Sequence, residues 1–208
     1  MDYLFEGVRE FNAKDFQEHK DLFRHLGKKQ APHTLFIGCS DSRVVPNLIT
    51  NSLPGELFVI RNIANLVPYF RESNEFLSST SAIEYAIKVL EVDNIIVCGH
   101  SNCGGCNALF LDDATLSGMP HTRKWLELAQ PVKEAVEKEE ELRNDPVKRE
   151  WVTEQLNIIE QMNHLLTFPY IRERYARQQI NILGWYYIIE TGEIFNYNKE
   201  DRKFIKIE

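Results

Sequence analysis

A short apolar segment that ends in a cluster of possible ligands constrains the fold of this chain more than any other feature. Residues Ile95 to Val97 are apolar and β-branched, which is typical of a buried strand. His100 and Cys103 follow this segment closely, and two glycines come next. An imidazole and a thiolate at this spacing, placed where a strand ends, can face the same point and are good zinc ligands. Two ligands do not complete a metal site, so another part of the chain must supply more.

A second apolar run ends in a third possible ligand. Residues 34–38 are predicted to form a strand, and Cys39 follows them directly, with Asp41 and Arg43 close behind. Parallel sheets bind their ligands beyond the carboxyl ends of the strands. We therefore expect Cys39 and His100 to meet at one edge of a sheet, and we interpret the rest of the chain as the scaffold that brings these strand ends together.

The remaining sequence alternates between strands and helices, which predicts an α/β fold with a parallel, doubly wound sheet. Further strands are predicted at residues 57–61, 95–99, 180–190, 194–197 and 204–207. A hairpin turn is predicted at residues 190–193. Helices are predicted at residues 9–28, 46–49 and 76–90, from Gly104 onward, and through most of 120–177. The helix over 9–28 has an aromatic face that must pack either on its own domain or on a partner subunit.

Composition and charge limit the class of protein. The 208 residues suit one domain, and 43% hydrophobic residues suffice for a sizeable core. No repeat or long linker divides the chain, so residues 1–208 are expected to form one α/β domain, with residues 1–28 as an N-terminal helical arm. The net charge of −7 argues against nucleic-acid binding, and no apolar run is long enough to span a membrane. The N-terminal sequence lacks a secretory signal, so a cytoplasmic location is expected.

The cysteines are interpreted as ligands, catalytic groups or core residues, because disulfides are rare in a reducing compartment. The four cysteines are Cys39, Cys98, Cys103 and Cys106. Cys39, His100 and Cys103 form the candidate ligand set, and the fourth position is open to water, Asp41 or Cys106. Cys106 would lie in the first turn of a helix and point away from the site, which favours a core role for it.

Two other interpretations of these residues are less favoured than the metal site. Cys103 and Cys106 have the spacing of a redox pair, but that role leaves Cys39, His100 and the following Asp-x-Arg sequence without a joint purpose. Asp41 and the arginine two residues later could be an ordinary surface ion pair, which would stabilise little. Their position directly after a candidate ligand favours a functional role.

The two motifs together resemble the β-class carbonic anhydrases. The sequence Cys-Ser-Asp-Ser-Arg at residues 39–43 is followed, in the family's order, by His-x-x-Cys-Gly-Gly at residues 100–105. Residues 54–65, between the motifs, also match the family. The resemblance is strong over residues 30–106 and returns at residues 184–187. Within the family, the chain is most similar to the bacterial members.

This resemblance implies an activity and a set of site residues. The activity is the reversible hydration of carbon dioxide to bicarbonate and a proton, with one Zn²⁺ per chain. The zinc ligands implied are Cys39, His100 and Cys103, and the catalytic pair is Asp41 with Arg43. In a closed state, Asp41 itself would be the fourth ligand. The resemblance also implies a substrate pocket that contains Gln30, Phe58, Ile63, Tyr85 and Gly104.

The resemblance further implies how subunits assemble. The family fold is a parallel-centred α/β sheet in a tight homodimer, in which the N-terminal helix embraces the partner and an edge strand extends the sheet. Such dimers often pair into tetramers. The partners expected are therefore carbon dioxide or bicarbonate and further copies of the chain, with neither nucleic acid nor a membrane.

One departure from the family pattern concerns regulation. Some bacterial members bind an inhibitory bicarbonate with a tryptophan, an arginine and a tyrosine. Arg61 and Tyr187 match the last two, but Phe36 stands in the tryptophan position and lacks the indole N–H donor. Arg61 has a second interpretation as a buried partner of a carboxylate.

Three functions remain compatible with the sequence. The favoured one is carbonic anhydrase activity. A hydrolase of carbon disulfide or carbonyl sulfide on the same scaffold would differ in access to the pocket. A zinc-stabilised module without catalysis would have no need for Asp41 and Arg43.

Overall fold

The strands form one mixed sheet whose centre is parallel. The computed structural model describes residues 1–73, 75 and 77–208. Within these residues the strands are β1 Thr34–Cys39, β2 Leu57–Asn62, β3 Asn94–His100, β4 Asn181–Tyr187, β5 Ile194–Asn198 and β6 Lys203–Lys206. Their order across the sheet is β2-β1-β3-β4-β5-β6. The first four strands are parallel, and β5 and β6 add an antiparallel hairpin at one edge. The predicted fold class is confirmed.

Helices pack on the sheet and form the N-terminal arm. They are α1 Asp2–Ala13, α2 Asp15–Glu18, α3 Lys20–Leu26, α4 Pro46–Ile49, α5 Ser78–Lys88, α6 Gly104–Asn107, α7 Asp113–Ser117, α8 Pro120–Leu126, α9 Gln130–Lys138, α10 Glu140–Asn144, α11 Pro146–Leu165 and α12 Pro169–Ala176. The start predicted for α5, at Phe76, lies outside the described residues. In the part of the chain that the structure describes, no helix has the length and apolarity needed to cross a membrane.

The N-terminal arm is helical, but the single helix predicted over residues 9–28 is wrong. Turns at Lys14 and His19 separate α1, α2 and α3. The breaks allow the rings of Phe11, Phe16 and Phe23 to pack on one another, with centroids 5.3 to 6.2 Å apart. None of the residues in these three helices is buried, so the arm projects from the core of its own chain.

Strands β1 and β3 lie at the centre of the core. Every residue of β1 is buried, and all of β3 is buried except its first residue, as expected for parallel strands covered on both faces. The long helix α11 packs across β3 and β4. It approaches closely because Gly99 and Gly184 present no side chain there: an added Cβ would lie 2.7 Å from Ile158 Cγ1 and 2.5 Å from Met162 Sδ, respectively.

We predict that Gly99→Ala lowers the free energy of unfolding by about 1–3 kcal/mol, because the new methyl group overpacks a buried contact. The side chain it would meet, Ile158, is fully buried and branched, so it cannot easily move aside. Urea unfolding of the purified variant measures the change. Gly118→Ala is the control, because its added Cβ would have no atom nearer than 3.5 Å at an exposed position. Equal stability of both variants would contradict the tight approach of α11 to β3.

Candidate metal centre

The carboxyl ends of β1 and β3 bring three possible metal ligands together. Cys39 is the last residue of β1 and His100 is the last residue of β3. The two strands are parallel neighbours, with Gly38 paired to Cys98, so both ends meet at the same edge of the sheet. Cys103 lies in the loop that leads from β3 into α6. The exposed fractions of Cys39, His100 and Cys103 are only 4%, 0% and 1%, so all three are screened from solvent.

The donor atoms of these residues are close enough to share one ion. One ligand atom from each lies within 4.8 Å of the others, and the two Sγ atoms are 4.0 Å apart. His100 Nδ1 is 2.9 Å from the carbonyl oxygen of Ser101. A carbonyl only accepts, so Nδ1 donates there and Nε2 carries the lone pair. Within the described residues, this buried Nε2 has no hydrogen-bond partner, which is the arrangement a metal-binding imidazole needs.

The two thiols also fit a metal ion. Hydrogen bonding with the Cys103 thiol, followed by burial, raises the pKa of Cys39 to about 12. The pKa of Cys103 is raised as well, chiefly by the neighbouring Cys106 thiol. Two buried thiols in contact therefore keep their protons unless a cation takes their place. Two sulfur donors and one imidazole nitrogen form a set typical of zinc.

Asp41 and Arg43 form a bidentate ion pair beside the three donor residues. Arg43 Nε and Nη2 donate to Asp41 Oδ1 and Oδ2 at 2.9 and 2.8 Å, and the Arg43 backbone N–H donates to Oδ1 at 3.0 Å. These bonds hold the pKa of Asp41 well below its usual range, so the carboxylate is anionic. Asp41 Oδ2 lies 3.9 Å from Nε2 of His100. The pair is thus part of the site rather than an isolated surface contact.

Arg61 supports the same loop from the other side. Its guanidinium donates to the carbonyl oxygens of Cys39 and Asp41 at 3.0 and 2.6 Å. Arg61 is exposed and binds carbonyl groups, so its interpretation as a buried partner of a carboxylate is wrong. Phe36, in the family's tryptophan position, is fully buried and packs edge-on against Trp185 at 6.4 Å.

The residues predicted for the substrate pocket lie in several places. The rings of Phe58 and Tyr85 stack with centroids 6.0 Å apart. Ile63 lines a cavity of about 570 Å³ together with Ser40. Gly104 begins α6, directly after Cys103, and an added Cβ there would meet no atom within 4 Å. Gln30 is exposed in the segment between α3 and β1.

The other two cysteines lie outside the donor group. Cys98 is fully buried within β3, as predicted for a core residue. Cys106 is buried in α6, and its Sγ accepts a hydrogen bond from Asn157 Nδ2 at 3.7 Å. The group of donor atoms that can share a metal contains Cys39, His100 and Cys103 only, among the described residues.

A buried polar face on α11, which was not predicted from the sequence, holds the loops of the site. Glu154 accepts a hydrogen bond from the backbone N–H of Cys103 at 2.7 Å, and burial raises its pKa to about 7. Asn157 donates to the carbonyl oxygen of Ala64 at 2.9 Å, and Gln161 accepts from the N–H of Val67 at 2.8 Å. The signal was present as a run of polar residues at helical spacing, but the charged sequence around it concealed that face.

Comparison with solved structures identifies the class of protein that has this fold. The β-carbonic anhydrase CcaA matches over 100% of this chain and 92% of that chain, with a TM-score of 0.94 and 37% sequence identity. A tetrameric β-carbonic anhydrase from the fungus Sordaria macrospora matches over 93% of this chain and 94% of that chain, with a TM-score of 0.80 and 31% identity.

Sequence comparison identifies the family. The family described as carbonic anhydrase matches residues 34–194. The carbonic anhydrase of Helicobacter pylori strain J99 is 46% identical over 206 residues, which cover 98% of this chain and 93% of that protein. The enzyme of Synechococcus elongatus is 39% identical over 200 residues, covering 96% of this chain and 72% of that protein. The chain therefore belongs to the carbonic anhydrase family, whose members are lyases.

We predict that Cys39→Ala and His100→Ala each lose bound metal and activity together, because each removes one of three donors. Cys106→Ser is the matched control, since it alters a buried thiol next to the donor group but outside it. Metal content per chain, measured by atomic emission on the purified variants, tests the prediction. A zinc-replete and active Cys39→Ala protein would overturn the ligand assignment.

Proposed function

We propose that this protein catalyses the reversible hydration of carbon dioxide to bicarbonate and a proton, with one Zn²⁺ per chain. The observation that carries the proposal is the buried donor group of Cys39, His100 and Cys103, which lies beside an ionised aspartate. Family membership and the fold of β-carbonic anhydrases support it. When bound, zinc would supply a water molecule whose pKa is lowered toward neutrality.

The chain's own residues would orient the reaction. Asp41 is ionised and therefore only accepts hydrogen bonds, so it would hold the attacking oxygen by its hydrogen and direct a lone pair at carbon. Arg43 binds both carboxylate oxygens of Asp41 and keeps the carboxylate in one orientation. A structural metal site has no need for such a pair, which favours an enzyme over a zinc-stabilised module.

The remaining predicted residues would bind the substrate. Carbon dioxide is apolar, and Phe58, Ile63 and Tyr85 offer it an apolar surface. Gln30 and the backbone N–H of Gly104 would provide polar contacts for bicarbonate. These assignments come from the family resemblance. The stacking of Phe58 on Tyr85 supports a shared location for these two side chains.

Arg43 would also control whether the site is open. The Asp41 carboxylate lies 3.9 Å from the His100 nitrogen that would bind zinc. If Arg43 released it, Asp41 could become the fourth ligand and exclude water from the metal. In the structure Arg43 holds both carboxylate oxygens, which is the arrangement expected of the open state.

We further propose that residues 1–208 form one domain that assembles as a homodimer or a dimer of dimers. The N-terminal arm, residues 1–28, has no buried residue in α1–α3, yet it presents large apolar side chains. Tyr3, Leu4 and Phe5 are 76%, 56% and 58% exposed. An exposed apolar patch of neighbouring side chains is typical of a protein–protein interface. The tetrameric relative from Sordaria macrospora supports assembly. A cytoplasmic location remains a prediction.

Arg43→Ala should retain zinc but lose most of its activity, because the freed Asp41 can occupy the metal. Arg43→Lys should restore little activity, since an ammonium group cannot reproduce two parallel hydrogen bonds. Asp41→Ala should also keep zinc and be slow, because nothing orients the attacking oxygen. Stopped-flow carbon dioxide hydration, with zinc content measured on the same samples, tests all three variants.

The control for these variants is Arg123→Ala, which breaks an exposed arginine–aspartate pair at Asp113. It should hydrate carbon dioxide at the wild-type rate. Zinc absorption-edge spectroscopy should show more protein ligands on zinc in Arg43→Ala than in Asp41→Ala. A wild-type rate for Arg43→Ala across the alkaline range would refute the proposed mechanism.

Deletion of residues 1–28 should dissociate the oligomer or reduce solubility, because it uncovers the surface that the arm covers on a partner. Sedimentation velocity measures the outcome. A gentler variant, Tyr3→Ser with Phe5→Ser, should shift the same equilibrium, whereas Val147→Ser, at a residue 79% exposed on α11, should not. A fully active, monodisperse monomer after the deletion would disprove the role of the arm.

A further inference from the structure

A single peptide group links the Asp41–Arg43 pair to the metal ligand Cys103. This group joins Asn102 to Cys103. Its carbonyl oxygen, on Asn102, accepts a hydrogen bond from Arg43 Nη2 at 3.0 Å. Its N–H, on Cys103, donates to Glu154 Oε1 at 2.7 Å. Both ends of one peptide are therefore held by side-chain hydrogen bonds.

Glu154 is well placed to hold this peptide rigidly. It is only 2% exposed, so water does not compete for its oxygens. Its second oxygen accepts a hydrogen bond from the hydroxyl of Tyr186 at 2.8 Å. Tyr186 lies in β4 directly opposite Gly99 of β3, so Glu154 is fixed to the strand that neighbours the one ending in His100. Both oxygens of Glu154 are therefore engaged, one by the ligand loop and one by β4.

The backbone beside this peptide needs such support. Asn102 has a φ of +55°, in the left-handed region that residues other than glycine occupy at a cost. Without Glu154, the buried N–H of Cys103 would lack an acceptor, which is costly in the interior. Rotation of the Asn102–Cys103 peptide toward another acceptor would then move its carbonyl away from Arg43.

We propose that Glu154 is a positioning residue that orients the Asn102–Cys103 peptide and thereby couples the Cys103 ligand to the Asp41–Arg43 pair. Glu154 would touch neither the metal nor the substrate and would act through the backbone of the ligand loop. Outer partners of this kind typically change metal affinity by about 10–100-fold when they are removed. The inference rests on the metal site proposed above.

The same helix supplies a matched control. Gln161 lies two turns further along α11, is fully buried, and accepts a hydrogen bond from the N–H of Val67. Its partner is a loop residue that is not a proposed ligand. Gln161→Ala therefore removes a comparable buried acceptor, together with its hydrogen bond to Asn157, from a side chain that makes no hydrogen bond to the Asn102–Cys103 peptide.

The test measures how fast the zinc-loaded protein transfers its metal to a chromophoric chelator. Glu154→Ala should release zinc about 10–100-fold faster than the wild type. Gln161→Ala should stay within about threefold of the wild type, even if it unfolds at a lower temperature. Glu154→Gln should also stay within about threefold, because the amide oxygen can still accept from Cys103 and Tyr186 can accept from the new amide.

A double-mutant cycle separates positioning from a general structural effect. Glu154 and Arg43 hold opposite ends of one peptide, so their effects should be coupled. The change in the zinc-release rate of the double variant should differ from the product of the two single changes by about threefold or more. The corresponding cycle of Gln161→Ala with Arg43→Ala should be additive. Additive behaviour of Glu154→Ala with Arg43→Ala would overturn the proposed coupling.

The inference can still be tested if Glu154→Ala does not fold or does not differ from its control. If Glu154→Ala does not fold, Tyr186→Phe replaces it, since the ring stays and only the hydroxyl that steadies Glu154 is lost. Its zinc release should be at least about threefold faster, and an unchanged rate would overturn the inference. If the wild type binds zinc and the two variants Glu154→Ala and Gln161→Ala release it at equal rates, only this inference fails. A wild-type chain that retains no zinc would overturn the metal site as well.

Discussion

The parallel pairing of β1 with β3 is the constraint on which the rest of the structure depends. It places Cys39 and His100, which lie far apart along the chain, at one edge of the sheet. Both strands are almost entirely buried, so their register cannot slip without exposing apolar side chains. The tight approach of α11 over Gly99 then fixes β3 from one face. The geometry of the candidate metal centre is thus a consequence of core packing.

The charges around this edge are arranged so that each has a partner. Arg43 shares its guanidinium between the Asp41 carboxylate and the carbonyl of Asn102, while Arg61 holds the carbonyls on either side of the Cys39 loop. The buried Glu154 side chain accepts hydrogen bonds from Cys103 and a tyrosine. The two thiols are neutral while they keep their protons, and as thiolates they would need a counter-charge such as a divalent cation.

Helix α11 acts as a second support for the site, separate from the sheet. Its apolar residues, such as Ile158, pack on β3 and β4, while interleaved polar residues reach the backbone of two segments, the one after β2 and the one after β3. A buried polar side chain on a rigid helix specifies one loop conformation, because any other leaves a donor or acceptor unpaired. The left-handed conformation of Asn102 is tolerated within such a framework.

The sequence by itself determined the strands, the sheet type and the cluster of Cys39, Asp41 and His100, because these depend on local periodicity and on what directly follows a strand. It could not show that the arm breaks into three helices, since that depends on how aromatic rings pack around Phe16. Only the tertiary structure showed the hydrogen bond from Cys103 to Glu154, which lies 51 residues further along the chain among other acidic residues. Hydrogen bonds between distant segments leave no local periodic signal, so the positioning of the ligand loop was decided by the fold alone.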